Sequence, residues 1–199
     1  MTIKLYTIGH SIHTIEYFIS LLKKYAITAI CDVRSYPYSK HNPQFNRKNL
    51  KNDLKNNGIE YVFMGRELGA RSENPNCYIS GKVQYHSLVN EPLFQRGIDR
   101  LCQGMNSYSI ALMCAEKDPI TCHRMILVCR EIRGITNQIY HILANGEIES
   151  NLDAENRLLK TLNIAPDMFR SMSECIEEAY DIQGQRIAYV KKEKQIAVG

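Results

Sequence analysis

The sequence predicts an α/β fold: a mostly parallel, Rossmann-like sheet with helices on both faces and a helical C-terminal extension. Three observations carry that expectation. Short apolar, strand-like runs alternate with amphipathic helical patterns through about the first 145 residues, the order expected of βαβ units. Helix-start and helix-stop residues fall between those runs, with Thr14 as a cap and Gly58 and Gly134 as stops. Clusters of polar residues follow the strands rather than the helices, where the loops of a parallel sheet converge on a ligand.

Residues 3–8 read as the first strand and lead into Gly9, His10 and Ser11. In residues 14–25, Ile15, Phe18, Ile19 and Leu22 recur at helical spacing. A second strand spans 27–33, a helix 46–57 and a third strand 59–64. A long loop, 65–81, follows; loops beyond about 12–15 residues in a compact domain are usually lids or binding loops. Helical segments cover 83–102, and the fourth strand covers 108–114. Its helix is expected over 119–133, opened by Asp118 as cap with Pro119 in the first helical position, or by Thr121. The fifth strand is placed at 138–143, with further helices at 154–162 and 173–189. Residues 1–150 are expected to form the α/β domain that carries the site. Residues 151–199 are expected to pack on it as a helical extension ending in Lys191, Lys192 and Lys194, read as a solvated end.

The chain has 199 residues, 44% hydrophobic and 23% charged, enough for one medium domain with an ordinary core. Its net charge of +4 is compatible with an anionic partner but does not demand nucleic acid. No apolar run approaches the roughly 20 residues that span a bilayer. The N-terminus starts a strand without a signal-peptide core, so a cytoplasmic location and no membrane partner are expected. The seven cysteines are dispersed and odd in number, which favours reduced thiols over a disulfide framework. There is no C-x-x-C pair and no zinc-finger spacing, so a metal would need ligands from separate segments, Cys114, Cys122 and His123 being the candidates. No cofactor is named by any motif.

The most informative stretch runs from Ile110 to Arg133. An apolar strand ends in Cys114, a polar loop follows, and Cys122, His123 and Arg124 lie at or near the start of the next helix. A helix start offers unpaired N–H groups and a partial positive charge, which suit an anion or a thiolate. Cys122 and His123 are therefore candidate catalytic residues and Arg124 a candidate anion contact; Cys122 could equally be a buried packing residue. Cys114 is a candidate nucleophile, ligand or resolving thiol, or plain strand filler, whereas Cys129 and Cys31 are expected in the core. Glu116 is a candidate acid–base residue, because a carboxylate at a buried strand end needs a partner. Asp32 and Arg34, two apart on one strand, read either as a base beside an anion clamp or as an ion pair tying loops together. His10 is a candidate acid–base group and Ser11 a candidate phosphate contact, against a loop-fixing and capping role. Arg71 is a candidate anion contact. The segment 35–48 interleaves Tyr36, Tyr38 and Phe45 with Lys40, His41, Arg47 and Lys48, a composition that grips nucleotides or single strands and also occurs in ordinary loops. Tyr36 is its leading substrate-binding candidate.

The blocks T-I-G-H-S (7–11), C-D-V-R-S-Y-P (31–37), L-G-A-R (68–71) and C-A-E-K-D-P-x-x-C-H-R (114–124) resemble, in order, the signature blocks of the DUF-488 family of bacterial and archaeal domains. The resemblance covers about the first 145 residues and implies an α/β cytoplasmic domain without implying a reaction. Two classes of function remain open on the residues alone. One is an enzyme acting on a phosphate-bearing substrate, a nucleotide or nucleic acid, with a variant in which the thiols or a Cys/His-bound metal do the chemistry. The other is a non-enzymatic nucleotide- or nucleic-acid-binding or redox-sensing domain.

Overall fold

A computed structural model describes residues 4–191. Its centre is a six-stranded sheet in the order β3-β2-β6-β1-β7-β8. The strands are β1 (Leu5–Gly9), β2 (Ala29–Asp32), β3 (Glu60–Phe63), β6 (Ile110–Cys114), β7 (Ile139–Ile142) and β8 (Ile148–Ser150). All neighbours pair in parallel except β8, an antiparallel edge strand on β7. A separate two-stranded hairpin, β4 (Tyr78–Ile79) and β5 (Lys82–Val83), straddles the end of the segment expected to be a long loop. That loop is thus partly structured, and backbone bonds between Val83 and Tyr189 and between Gly81 and Lys191 tie it to the chain's last described residues.

The central parallel strands β1, β2 and β6 are fully or nearly buried, as a sheet covered on both faces requires, while β3 at the edge is partly exposed. Alternation along each strand divides the core in two. One face carries Ile8, Ile30, Ala111 and Met113 against α1 (Ile15–Lys24) and α2 (Arg47–Asn56), through Phe18, Leu22, Leu50 and Leu54. The other carries Leu5, Cys31, Leu112 and Cys114. It is covered by α4 (Pro92–Met105), the segment after β6, α6 (Asn151–Leu162) and α7 (Met172–Ile187), with a short helix α3 (Tyr85–Val89) beside them. Ala154, Leu158, Cys175, Ala179 and Tyr180 of the last two helices enter the same cluster as the sheet residues. Cys31 and Cys129 lie in this core as expected.

Local signals explain the helix ends. Thr14 caps α1 by accepting from the Tyr17 amide, Ser150 caps α6, and Ser171 with Glu174 forms a reciprocal capping box on α7. Gly58 stands at φ +71° after α2, a conformation glycine adopts without steric cost. The helical segment before Gly134 ends at Ile132 with Arg133 as its cap, and Gly134 is not among the glycines with positive φ.

The helix expected over 119–133 is not a continuous α-helix. Pro119–Thr121 forms a single 3-10 turn capped by Asp118, and Cys122 is extended at φ −129°, ψ 139°. A π-helical segment, Arg124–Cys129, follows and runs into α5 (Arg130–Ile132). The Asp118-Pro119 start signal was satisfied by one turn, after which the extended Cys122 begins a second element. Its thiol therefore sits in a break between two helical pieces. Lys191 lies over the Tyr78 ring at 3.8 Å instead of being merely solvated, and Lys192 and Lys194 lie outside the described residues. No helix among the described residues is long and apolar enough to cross a membrane.

Candidate functional site

The carboxyl ends of the adjacent strands β2, β6 and β1 open into a cleft of about 640 Å³. His10 and Ser11 leave β1, Arg34 leaves β2, and Cys114 to Lys117 leave β6; all line it. Tyr36, Tyr38 and Arg71 add to the walls, and Thr121, Cys122 and His123 close the floor. The chain's tail contributes Ile187 and Tyr189, and α3 contributes Tyr85. The convergence of loops at one sheet edge was the expectation, and the cleft is where they meet.

The floor is built by close backbone contact. The His10 and Ser11 amides donate to the Cys114 and Ala115 carbonyls (2.9 Å each), so the pairing of β1 with β6 continues past the strand ends. The loop then crosses directly over Gly9: a Cβ there would stand 1.9 Å from the Glu116 carbonyl oxygen. Below it, fully buried Arg124 donates to the Glu116 carbonyl (2.6 Å), the Lys117 carbonyl (3.2 Å) and the Thr7 hydroxyl (3.3 Å). Outside it, Arg157 of α6 pairs with Asp118 and with Glu149. Arg124 is thus a clamp on the loop and does not line the cleft, which corrects its expected role as an anion contact.

His123 donates through Nε2 to the Val33 carbonyl at 2.9 Å, since a carbonyl can only accept. The neutral ring then has its lone pair on Nδ1, and this atom faces two sulfurs, Cys114 Sγ at 3.6 Å and Cys122 Sγ at 4.0 Å. Both thiols are almost completely buried. Hydrogen bonding to Cys122 and burial push the Cys114 thiol well above its ordinary value. Burial alone would do the same to Cys122, but the Cys114 hydrogen bond and the Arg124 charge outweigh it and hold Cys122 well below. Two sulfurs and a ring nitrogen within 4.8 Å of one another form a set that could hold a thiophilic ion. The Cys122 amide is already bonded to Pro119, and those of Met125 and Ile126 to Cys122, so the unpaired amides expected at a helix start are largely used.

For Asp32 the geometry favours one of the two readings that the sequence offers. Strand parity sets it on the face opposite Cys114, and its carboxylate accepts from Arg34 Nε (2.9 Å), Arg34 Nη2 (2.7 Å), the Arg34 amide (3.1 Å) and Tyr61 Oη (2.8 Å). Fully buried and absent from the cleft lining, it favours the ion-pair reading over the general base. Arg34 also donates to the Phe45 carbonyl (2.8 Å) and to His10 Nε2 (3.2 Å), which leaves one N–H of its five without an acceptor among the described residues, on a side chain that lines the cleft. His10 donates from Nδ1 to the Ser11 carbonyl and stacks on Phe45 at 4.4 Å. With both nitrogens occupied it fits the loop-fixing alternative better than acid–base work. Glu116 is exposed at the rim, and its carboxylate has no hydrogen-bond partner among the described residues, so the buried carboxylate expected there is not found. Arg71 is exposed and stacks on Tyr189 at 4.2 Å, and Tyr36 is 71% exposed. Lys117, Tyr85 and Tyr189 were not singled out from sequence. Lys117 lay inside the recognised loop, but the other two come from elements whose docking no local pattern announces.

Two buried histidines make stability pH-dependent. Burial and Arg34 lower His10 to about 4; burial and Arg124 lower His141 to about 3. His141 accepts from Thr7 at Nδ1 (2.8 Å) and donates from Nε2 to Asn151 (3.1 Å), so protonation would aim a proton at a hydroxyl already held by Arg124. An unfolded histidine titrates near 6.5. Below that pH the unfolded chain binds more protons, and stability falls until the folded values are reached. From pH 6 to pH 4 each group should remove up to about 1.4 kcal/mol per pH unit. Urea unfolding across that range should show a shallower decline for His141→Gln; an unchanged slope would exclude His141 as a contributor.

A family model described as "Domain of unknown function DUF488" matches residues 14–130, more than half of the chain. The match spans the second to fourth signature blocks and both site cysteines, and begins after the first block at 7–11. No curated protein and no solved structure matches the chain.

Proposed function

Because this chain belongs to the DUF488 family, whose description names no reaction, we propose its function from the site: an enzyme that acts on an anionic, phosphate-bearing substrate through Cys114, Cys122 and His123. The observation that carries this reading is the His123 lone pair aimed at two buried sulfurs on the floor of an open cleft. A site that only binds an anion has no use for such a group. The walls supply the recognition chemistry. Arg34 keeps one N–H without an acceptor among the described residues, Arg71 and Lys117 bring exposed positive charge, and exposed Tyr36 and Tyr38 offer ring faces for a flat group such as a base. Glu116, exposed at the rim and without a hydrogen-bond partner among the described residues, is the carboxylate that would move a proton.

Thermal denaturation of the reduced protein with phosphate, sulfate, nucleotides and short oligonucleotides tests the substrate class. A ligand bound to the native state raises its apparent stability with its concentration and affinity. The expected result is a rise with one phosphate-bearing class that Arg71→Ala diminishes. The same ligand should be converted to product by wild type and not by His123→Gln, which should still bind it. No response to any phosphate-bearing ligand would remove the substrate class, and binding with turnover unaffected by His123→Gln would remove the assigned centre.

A further inference from the structure

We infer that Cys114, Cys122 and His123 bind a thiophilic divalent transition-metal ion of the zinc class, with its fourth coordination position open to the cleft. The inference rests on the reading of this group as the reacting centre and specifies what that centre is. The argument is geometric. A tetrahedral ion with Zn–S bonds of about 2.3 Å and Zn–N of about 2.0–2.1 Å sets sulfur–nitrogen edges of about 3.6 Å and a sulfur–sulfur edge of about 3.8 Å. The Cys114–His123 separation is 3.6 Å, that of Cys122–His123 is 4.0 Å, and no pair of the three donor atoms exceeds 4.8 Å. Small side-chain rotations close the difference.

The ring is already prepared as a ligand. Metal-bound histidines characteristically donate their second N–H to a carbonyl or carboxylate, which fixes tautomer and orientation. The Nε2–H of His123 does this to Val33, leaving Nδ1 as the donor atom. A hydrogen bond would satisfy one sulfur; the geometry brings both within reach of the same lone pair. The donor types select the ion. Two sulfurs and an imidazole suit zinc and its thiophilic neighbours, whereas magnesium and calcium want oxygen ligands. Neither carboxylate of the neighbourhood competes: Asp32 is saturated by Arg34 and Tyr61, and Glu116 stands at the rim.

Among the described residues no fourth cysteine, histidine or carboxylate joins the group. Structural zinc sites are closed by four protein ligands, while reactive ones keep three and leave a position for water or substrate. All three residues line the cleft, so that position faces its interior. Charge also balances. Binding forms two metal–sulfur bonds, the divalent ion displacing the Cys114 thiol proton and any proton that Cys122 still holds. The centre then has no net charge of its own beside the Arg124 guanidinium, whose hydrogen bonds all go to neutral oxygens.

The experiment is a Co²⁺ titration of the full chain, purified apo under reductant and shown to have seven free thiols. One equivalent should give a sulfur-to-cobalt charge-transfer band and the visible bands of a tetrahedral ion, both bleached by Zn²⁺. Cys114→Ser and Cys122→Ser should abolish the charge-transfer intensity stepwise. Loss of an outer-shell partner alone typically weakens metal binding about 10–100-fold, so His123→Gln should weaken it by more than about tenfold. Cys129→Ser, a core thiol outside the group, should leave the spectrum intact. Should the buried Cys122 variant fail to fold, His123→Gln, on a half-buried side chain, decides the question. No cobalt spectrum with reduced wild type, or a spectrum indifferent to His123→Gln, overturns the metal assignment. The titration contains no phosphate ligand and measures no turnover. Failure here with a phosphate-induced stability shift intact removes the metal alone, and a bound metal without that shift removes the substrate class alone.

Discussion

Replacing Arg124 with alanine will destabilise the protein by about 3–5 kcal/mol, from the cavity left by a large buried side chain together with buried acceptors that lose their donor. The side chain is the largest fully buried one among the described residues, and it is the point from which the Cys114–Cys122 loop is held. Without it the Glu116 and Lys117 carbonyls and the Thr7 hydroxyl each lose a donor in a place with little water. An unsatisfied buried polar group costs about 1–3 kcal/mol. Arg124→Met separates this effect from lost volume. It fills most of the space but donates nothing, so it should lose at least about 2 kcal/mol for the orphaned carbonyls. Denaturant unfolding of the three proteins is the measurement. Arg124→Met as stable as wild type would show that volume, not the clamp, is what matters.

Gly9→Ala should cost about 3 kcal/mol, at the upper end of ordinary overpacking, and should also displace the site. The new Cβ would stand 1.9 Å from the Glu116 carbonyl oxygen and 2.9 Å from its carbon, both backbone atoms that cannot rotate away. Either β1 or the loop must move, and the loop carries Cys114 at one end and Cys122 at the other. Gly58→Ala provides the contrast. Gly58 has nothing within 4 Å of a Cβ but stands at φ +71°, so its substitution should cost only the about 1–2 kcal/mol of a left-handed L-residue. Equal losses at the two positions would mean that the close approach over Gly9 is not a constraint. A Gly9→Ala protein with a native thermal midpoint would mean the same.

Both variants concern features only partly legible in one dimension. The pattern of apolar runs, the Thr14 cap and the polar clusters at strand ends are local, and the parallel two-faced sheet follows from them because hydrophobic periodicity records which face each element buries. The sequence also marked the Cys114 to Arg124 stretch, of which Cys114, Glu116, Cys122 and His123 line the cleft and Arg124 lies directly beneath its floor. Which of its two readings Asp32 takes was not legible in the sequence, because strand parity is relative. Being on a strand face says nothing of which face Cys114 takes until the register of Asp32 with Met113 is known.

What the sequence determined by itself, then, is the fold class and the segments that form the site, since both depend on periodicity and on chain order along the strands. Only the tertiary structure decided the roles. Arg124 became a clamp, not an anion contact, because its three acceptors lie on β1 and on the loop beyond β6. The regular helix became a turn, an extended Cys122 and a π-helical segment. His123 turned its lone pair to the sulfurs because the Val33 carbonyl, 90 residues away in the chain, takes its proton. Burial, tautomer and hydrogen-bond partner are properties of a residue's surroundings, and those surroundings come from elements that are distant in sequence.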